Sequence, residues 1–281
     1  MPARLAERYP YAFVTGASTG LGRAFVEMLL VEGVRVWGTA RDAGRLTDLA
    51  AKYPVAFTPV VLDLADAAAA EVSFLRAAKS AGGAFDLLIN NAGYGVFGGF
   101  DCIDAVVWQA QLTAMLGTTM RLTHAALGPM RTRHRGCIVN ISSLAVEFPL
   151  PYMSGYNVVK AGLSGLSESL IVETRGMGIN VIDFRPGDFR TDFNHAMHTV
   201  SPAGPTASAA MTRVWQRLEE NLRAAPPPAR AAADLHRALH RGASGTVRSG
   251  SFFQATLAPW LARFAPQSWR RAVMARYFGV I

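Results

Sequence analysis

The chain has 281 residues, 51% of them hydrophobic, with two cysteines and a formal net charge of +8. That length buries a full core and suits one large α/β domain spanning 1–281, while two cysteines exclude a disulfide framework. No apolar stretch reaches the ~18 residues a membrane-spanning helix needs. The opening Met-Pro-Ala-Arg-Leu-Ala-Glu-Arg has no signal-peptide pattern. A cytoplasmic protein is expected, with peripheral contact at a membrane surface left open.

Short apolar runs predict strands near 11–15, 34–39, 55–61, 86–90, 137–142 and 179–184, and a last strand that includes Val247. Helical stretches are predicted between them, near 20–32, 66–80, 104–130 and 155–176. Strand alternating with helix predicts a doubly wound parallel sheet of Rossmann type, helices on both faces, with right-handed crossovers. Cys137 falls in one of these strands and is expected to be an inert core thiol. Residues 192–210 read as a loop rich in Ser, Ala, Pro, Thr and Gly, followed by helices at 211–224 and 229–241 with Pro226 to Pro228 between them.

The first strand runs into Thr15-Gly-Ala-Ser-Thr-Gly-Leu-Gly22 and then a helix of period 3.6. Glycines let the backbone turn tightly and approach a pyrophosphate, and a helix N-terminus offers free N–H groups to an anion. The context of strand, glycine turn and helix is what the dinucleotide fingerprint requires. Further on, Tyr156 and Lys160 lie four apart on a predicted helix, with Ser143 thirteen residues upstream of the tyrosine. Residues at that spacing share a helix face, and an ammonium beside a phenol favours phenolate. The pair is therefore expected to hold an acid/base nearer neutrality than tyrosine's usual ~10.

Together the glycine turn, Asp63-Leu64, Asn90-Asn-Ala-Gly93, Ser143, Tyr156/Lys160 and Pro186-Gly187 with Thr191 resemble the short-chain dehydrogenase/reductase family, strongly over about residues 9–195. The resemblance implies hydride transfer between a nicotinamide cofactor and a carbonyl or alcohol. It makes Tyr156 the proton donor or base, Lys160 the residue that lowers its pKa and binds the nicotinamide ribose, and Ser143 the partner of the substrate oxygen. Ser142 is the competing serine, and family spacing selects Ser143. By the same resemblance Gly16, Ser18, Thr19, Gly20, Leu21 and Gly22 cradle the pyrophosphate. Asp63 and Leu64 border the adenine, Asn91, Ala92 and Gly93 pass the adenosine ribose, and Pro186, Gly187 and Thr191 border the carboxamide. Residues 188–225 are expected to be a substrate lid, and a dimer or tetramer is expected.

The second strand ends in Ala40-Arg41, where an acidic residue would bind a 2′-hydroxyl and repel a 2′-phosphate. Arginine suits phosphate, so NADP(H) is favoured; Asp42, one place later, leaves NAD(H) open. The expected pocket residues Tyr94, Val96, Phe97, Phe148, Leu150, Tyr152, Met153, Phe189 and Phe193 are greasy, which favours a lipid-like, steroid-like or aromatic substrate. One departure from the family concerns an asparagine in the helix before Ser143, which holds a water beside the lysine. Met115 or Ala114 stands there, and no asparagine occurs between Asn91 and Asn140. Proton resupply is then expected to be slower, rerouted through Thr113 or Thr118, or carried by other waters. The departure motivates an alternative, a NADP(H)-binding sensor with little turnover.

The excess charge is local: residues 213–281 hold 11 Lys and Arg against 3 Asp and Glu. Such asymmetry fits an anionic membrane surface, an acidic carrier protein or an anionic substrate; no nucleic-acid motif accompanies it. Residues 251–281 read as a basic amphipathic extension with Trp269, Val273 and Tyr277 on one face. It could pack on the protein, close the pocket or lie on a membrane, packing being favoured. His236 and His240 are spaced i, i+4, but no Glu or Cys lies beside them in sequence, and His195 and His198 have no third ligand. No metal site is expected.

Overall fold

The computed structural model describes residues 4–193, 197–199 and 208–281. After the short helix α1 (Leu5–Arg8), strands and helices alternate: β1 (Tyr11–Val14), α2 (Gly20–Val31), β2 (Arg35–Ala40), α3 (Thr47–Lys52), β3 (Phe57–Val61), α4 (Ala67–Ser80) and β4 (Leu87–Asn90). A two-residue strand β5 (Val96–Phe97) precedes α5 (Ala105–Leu112), α6 (Thr118–Arg133), β6 (Gly136–Ile141), α7 (Ser154–Glu173) and β7 (Ile179–Pro186). Then come β8 (His198–Thr199), α8 (Ala209–Ala224), α9 (Pro228–Arg241), β9 (Gly245–Ser249), α10 (Ala258–Phe264) and α11 (Gln267–Tyr277). Seven strands form one sheet in the order β3-β2-β1-β4-β6-β7-β9, every pairing parallel. This is the expected doubly wound sheet, extended by β9 at its edge.

Parallel strands covered on both faces are largely apolar, as the central β1, β4 and β6 are, whereas the edge strands β3 and β9 are partly exposed. Side chains alternate across the pleat, so β1 sends Phe13 to one side and Ala12 and Val14 to the other. On the first face Phe13 meets Phe74 of α4 edge-on at 4.9 Å, beside Leu122 of α6 and Leu170 of α7. On the second, Phe25 and Leu29 of α2 pack with Leu235 and Leu239 of α9. Each such side chain contributes about 1.5–3 kcal/mol by leaving water. Cys137 is wholly buried, and burial pushes its thiol up to about 12, which makes it inert as expected.

The order of strands reverses between β1 and β4, and a crevice opens there at their carboxyl ends. Two departures from the sequence reading shape that crevice. The stretch expected as one helix over 104–130 is divided by a π turn, Thr113–Gly117, between α5 and α6. A second π turn, Phe253–Leu257, leads into α10. Along α11 and the residue after it, Arg270, Met274 and Phe278 are the more buried positions; Trp269, Val273 and Tyr277 are more exposed, although Val273 and Tyr277 still line the cavity. Phe278 is buried with Met211, Val214 and Leu218, Tyr277 donates to Asn221 at 2.9 Å, and Arg213 donates to the Gly279 carbonyl at 2.7 Å. This helix packs on α8, whereas Trp260, Phe264 and Trp269 face outward. Among the described residues no helix is long and apolar enough to cross a membrane.

Candidate active site

The glycine turn is braced from β4. Thr15 Oγ1 accepts from the backbone N–H groups of Asn91 (2.9 Å) and Ala92 (3.0 Å), and Asn91 Nδ2 donates to the carbonyls of Thr15 and Gly16. Gly16 has φ +69°, and a Cβ there would stand 2.9 Å from Ala92 Cα. At Gly22 a Cβ would stand 2.1 Å from the Gly16 carbonyl oxygen, so only glycine lets α2 start this close to the turn. Helices α4, α5 and α8 are capped by Asp66, Asp104 and Ser208. Helix α2 has no side-chain cap at Thr19, and its first-turn N–H groups open onto a cavity of about 950 Å³ lined by Gly16, Ser18, Thr19, Gly20 and Leu21. An uncapped helix end above a glycine cradle fits a pyrophosphate.

The rest of the expected set lines the same cavity: Arg41, Asp63, Leu64, Asn91, Ala92, Gly93, Ser143, Tyr156, Lys160, Pro186, Gly187 and Thr191. Gly22 alone lies outside its wall, acting through the turn. Thr191 stands over Gly20, close enough that a Cβ there would meet its methyl at 3.4 Å. At the end of β2, Arg41 is joined by Arg45, which the sequence reading missed, and both line the cavity. Asp42 does not. Its Oδ1 accepts from the Gly44 N–H at 2.9 Å and caps the 3₁₀ turn Ala43–Leu46.

The two serines have separate surroundings. Ser142 Oγ donates to Asp183, a fully buried carboxylate that also accepts from Ser164 Oγ and Arg185 Nε. Ser143 Oγ accepts from the Ala145 N–H at 3.0 Å and lies beside Tyr156. Lys160 Nζ donates to the Ile141 carbonyl at 2.7 Å and lies 5.5 Å from the Tyr156 ring centre. Burial pulls the Lys160 ammonium down to about 8, against the opposing charge of Asp183. The sequence reading had Lys160 lowering the tyrosine's pKa. In the structure burial dominates: the Tyr156 phenol is pushed up to about 12, drawn back by the Ser143 hydroxyl and raised further by the nearby Asp188 charge. Helical spacing conveys proximity, not the loss of solvent that outweighs it here.

Asp188 and Gln254 are site residues that sequence reasoning missed. Gln254, in the second π turn, donates through Nε2 to Asp188 Oδ2 at 2.6 Å, and both line the cavity. Burial pushes the Asp188 carboxyl up and this hydrogen bond opposes it. Met115 and Ala114, the two candidates for the position where the resemblance places asparagine, both line the cavity; Met115 is the one that reaches Gly93. Its side chain is buried over Gly93, and its sulfur accepts from the Tyr94 N–H at 3.4 Å. A detour through Thr118 does not fit, because its hydroxyl donates to the Leu64 carbonyl at 2.8 Å outside the cavity.

Of the greasy residues, Tyr94, Phe148, Leu150, Met153, Phe189 and Phe193 line the cavity. Val96, Phe97 and Tyr152 stand behind it: Phe97 is fully buried, 5.0 Å from the Trp215 ring and 6.0 Å from that of Tyr152. The far wall comes from Leu218 and Leu222 of α8 and from Val273, Met274, Tyr277 and Phe278. His195 lies outside the described residues, and His198 is in β8. One expectation fails at a distance from the cavity: His236 and His240 do have an acidic companion, Glu32 of α2.

Residues 10–200 match the family profile described as short chain dehydrogenase. Among curated proteins the chain is 32% identical over 187 residues to the 3-ketodihydrosphingosine reductase of Bacteroides thetaiotaomicron, covering 64% of each. A short-chain dehydrogenase from Streptomyces avermitilis superposes with a TM-score of 0.82 at 29% identity, over 95% of this chain and 98% of that one. A metagenomic short-chain oxidoreductase in complex with NADP superposes with a TM-score of 0.66 at 28% identity, over 85% and 96%.

Proposed function

Because the chain belongs to the short-chain dehydrogenase family of NAD(P)-dependent oxidoreductases acting on carbonyl and CH–OH groups, we propose that it exchanges a hydride between NADP(H) and a hydrophobic ketone or secondary alcohol. The observation that carries this reading is Tyr156, a buried phenol beside Ser143 and Lys160 in a cavity with a phosphate cradle at one end and an apolar wall at the other. When bound, NADPH supplies the hydride. The uncapped first turn of α2 would hold its pyrophosphate, Asp63 and Leu64 its adenine, and Lys160 its nicotinamide ribose. Pro186, Gly187 and Thr191 would border the carboxamide. Arg41 and Arg45 would meet a 2′-phosphate, and Asp42, the acid that follows Arg41 in sequence, accepts from the Gly44 N–H and does not line the cavity, which favours a phosphate there. A solved relative holds NADP.

A phenol pushed up to about 12 keeps its proton at neutral pH. Tyr156 would therefore give that proton to the carbonyl oxygen when the reaction runs as a reduction. Ser143 hydrogen-bonds the substrate oxygen, and Lys160, still cationic below about 8, stabilises negative charge that forms there. The apolar wall favours a lipid-like, steroid-like or aromatic ketone, in keeping with a relative named as a 3-ketodihydrosphingosine reductase. The outward aromatics Trp260, Phe264 and Trp269, set among arginines, would dock the enzyme on an anionic lipid surface that presents such a substrate. Self-association through α7, whose Val158 and Val172 are exposed, belongs to the same reading.

The alternative, a NADP(H) sensor with little turnover, is favoured by the absence of an asparagine between Asn91 and Asn140, since neither Met115 nor Ala114 would hold a water through its side chain. The deciding experiment is a panel of ketones assayed by nicotinamide absorbance. Steady turnover by wild type, lost in Tyr156→Phe while NADPH still binds, supports the enzyme. Equal rates in both proteins refute the tyrosine mechanism, and no turnover by wild type supports the sensor.

A further inference from the structure

The helices α2 and α9 lie side by side on one face of the sheet, and their ends bring three side chains together. Glu32 follows the last turn of α2; His236 and His240 project from one face of α9, four residues apart. His236 Nε2 is 3.0 Å from Glu32 Oε1, His240 Nε2 is 3.1 Å from His236 Nε2, and His240 Nε2 is 3.8 Å from Glu32 Oε2. The two rings meet edge to face with centres 4.4 Å apart. None of the three lines the cavity described above.

Protons alone satisfy this triangle poorly. The nitrogens facing inward are both Nε2, and the third corner is a carboxylate. One N–H on His236 can point at the carboxylate or at the His240 nitrogen; at best it is shared. Two N–H groups directed at each other across 3.1 Å would repel. Three lone pairs converging on one point are, in contrast, what a small divalent cation requires. With metal–ligand bonds of ~2.0–2.1 Å, the ligand atoms of a tetrahedral site stand about 3.3 Å apart. The observed 3.0, 3.1 and 3.8 Å bracket that edge length.

We propose that Glu32, His236 and His240 form a binding site for one divalent transition-metal ion of the zinc type, which clasps α2 to α9. Two imidazoles and a carboxylate suit zinc, nickel or copper better than magnesium, which prefers six oxygens. The side chains keep 23–33% of their surface, so water completes the coordination. The clasp has reach at both ends. Glu32 Oε2 accepts from the Leu5 N–H at 3.2 Å, and α9 carries Asp234, which accepts from Ser249 at the end of β9. The metal therefore ties the start of the described chain, α2 and the sheet edge into one unit. Its role is structural, since an ion that binds the folded state alone stabilises it by mass action.

The test uses the untagged full chain, stripped with EDTA and dialysed against Zn(II), with metal counted by mass spectrometry. One ion per chain is expected, and at about 100 times its Kd it raises Tm by about 5 °C; Mg(II) gives no shift. His236→Ala, His240→Ala and the near-isosteric Glu32→Gln should each weaken binding on the order of tenfold or more, while His124→Ala, at an exposed histidine elsewhere, leaves it intact. Dialysis reads binding directly, so a loss of stability in one variant does not hide the answer. Absence of a stoichiometric ion, or equal binding by His236→Ala and wild type, overturns the proposal.

Discussion

Replacing Lys160 with methionine tests the electrostatics of the cavity through stability as well as rate. Burial lowers the ammonium from its ordinary 10.5 to about 8. Between those values the unfolded chain holds a proton that the folded chain has released. Stability therefore rises as pH climbs from about 8 toward 10.5. Integrated from about pH 7 to about pH 9.5, the lysine's share of that rise is about 2 kcal/mol. Methionine fills a similar volume and has nothing to titrate. Urea unfolding of both proteins across this range should show wild type gaining about 2 kcal/mol on Lys160→Met. Parallel curves, within about 0.5 kcal/mol, would refute a lysine held in low dielectric behind Tyr156. The same titration predicts the rate: ketone reduction by wild type should fall as pH passes about 8 and the cation is lost.

Two further outcomes are expected. Arg41→Ala with Arg45→Ala should raise KM for NADPH by roughly tenfold to a hundredfold, the loss of one or two charged hydrogen bonds, and leave KM for NADH nearly unchanged; an equal effect on both cofactors would contradict the phosphate reading. Replacing Trp260, Phe264 and Trp269 together with serine should reduce co-sedimentation with anionic vesicles and leave reduction of a soluble ketone intact, whereas unchanged pelleting would end the lipid-surface reading.

Strands β1 to β4, β6 and β7 were legible because each is a short apolar run between helices of clear period, whereas the two-residue β5 and β8 were too short to leave a pattern. The glycine turn was legible because its chemistry is local: Gly16, Gly20 and Gly22 sit within one turn of chain. Contacts between remote segments were not. Glu32 meets His236 across 204 positions and Asp188 meets Gln254 across 66, and no spacing rule connects them. What α11 packs against was not legible, because aromatic side chains stand at both its exposed and its buried positions and hydrophobicity carried no direction. The π turn inside 104–130 was not legible because Thr113, Gly117 and Thr118 lower helix propensity without marking where one extra residue is wound in. The Tyr156–Lys160 pair was visible, but not the burial that decides which of its protons stays.

That π turn also sets the terms on which this wall can change. Thr113–Gly117 inserts one residue more than regular winding would use, so α5 and α6 run out of phase. Each is moored separately: Gln111 donates to the Tyr94 carbonyl before the turn, and Thr118 donates to the Leu64 carbonyl after it. Excising a single residue would restore the phase and swing one mooring about 100° off its carbonyl. Shortening this segment by one residue would therefore disturb the wall more than exchanging most of its exposed side chains.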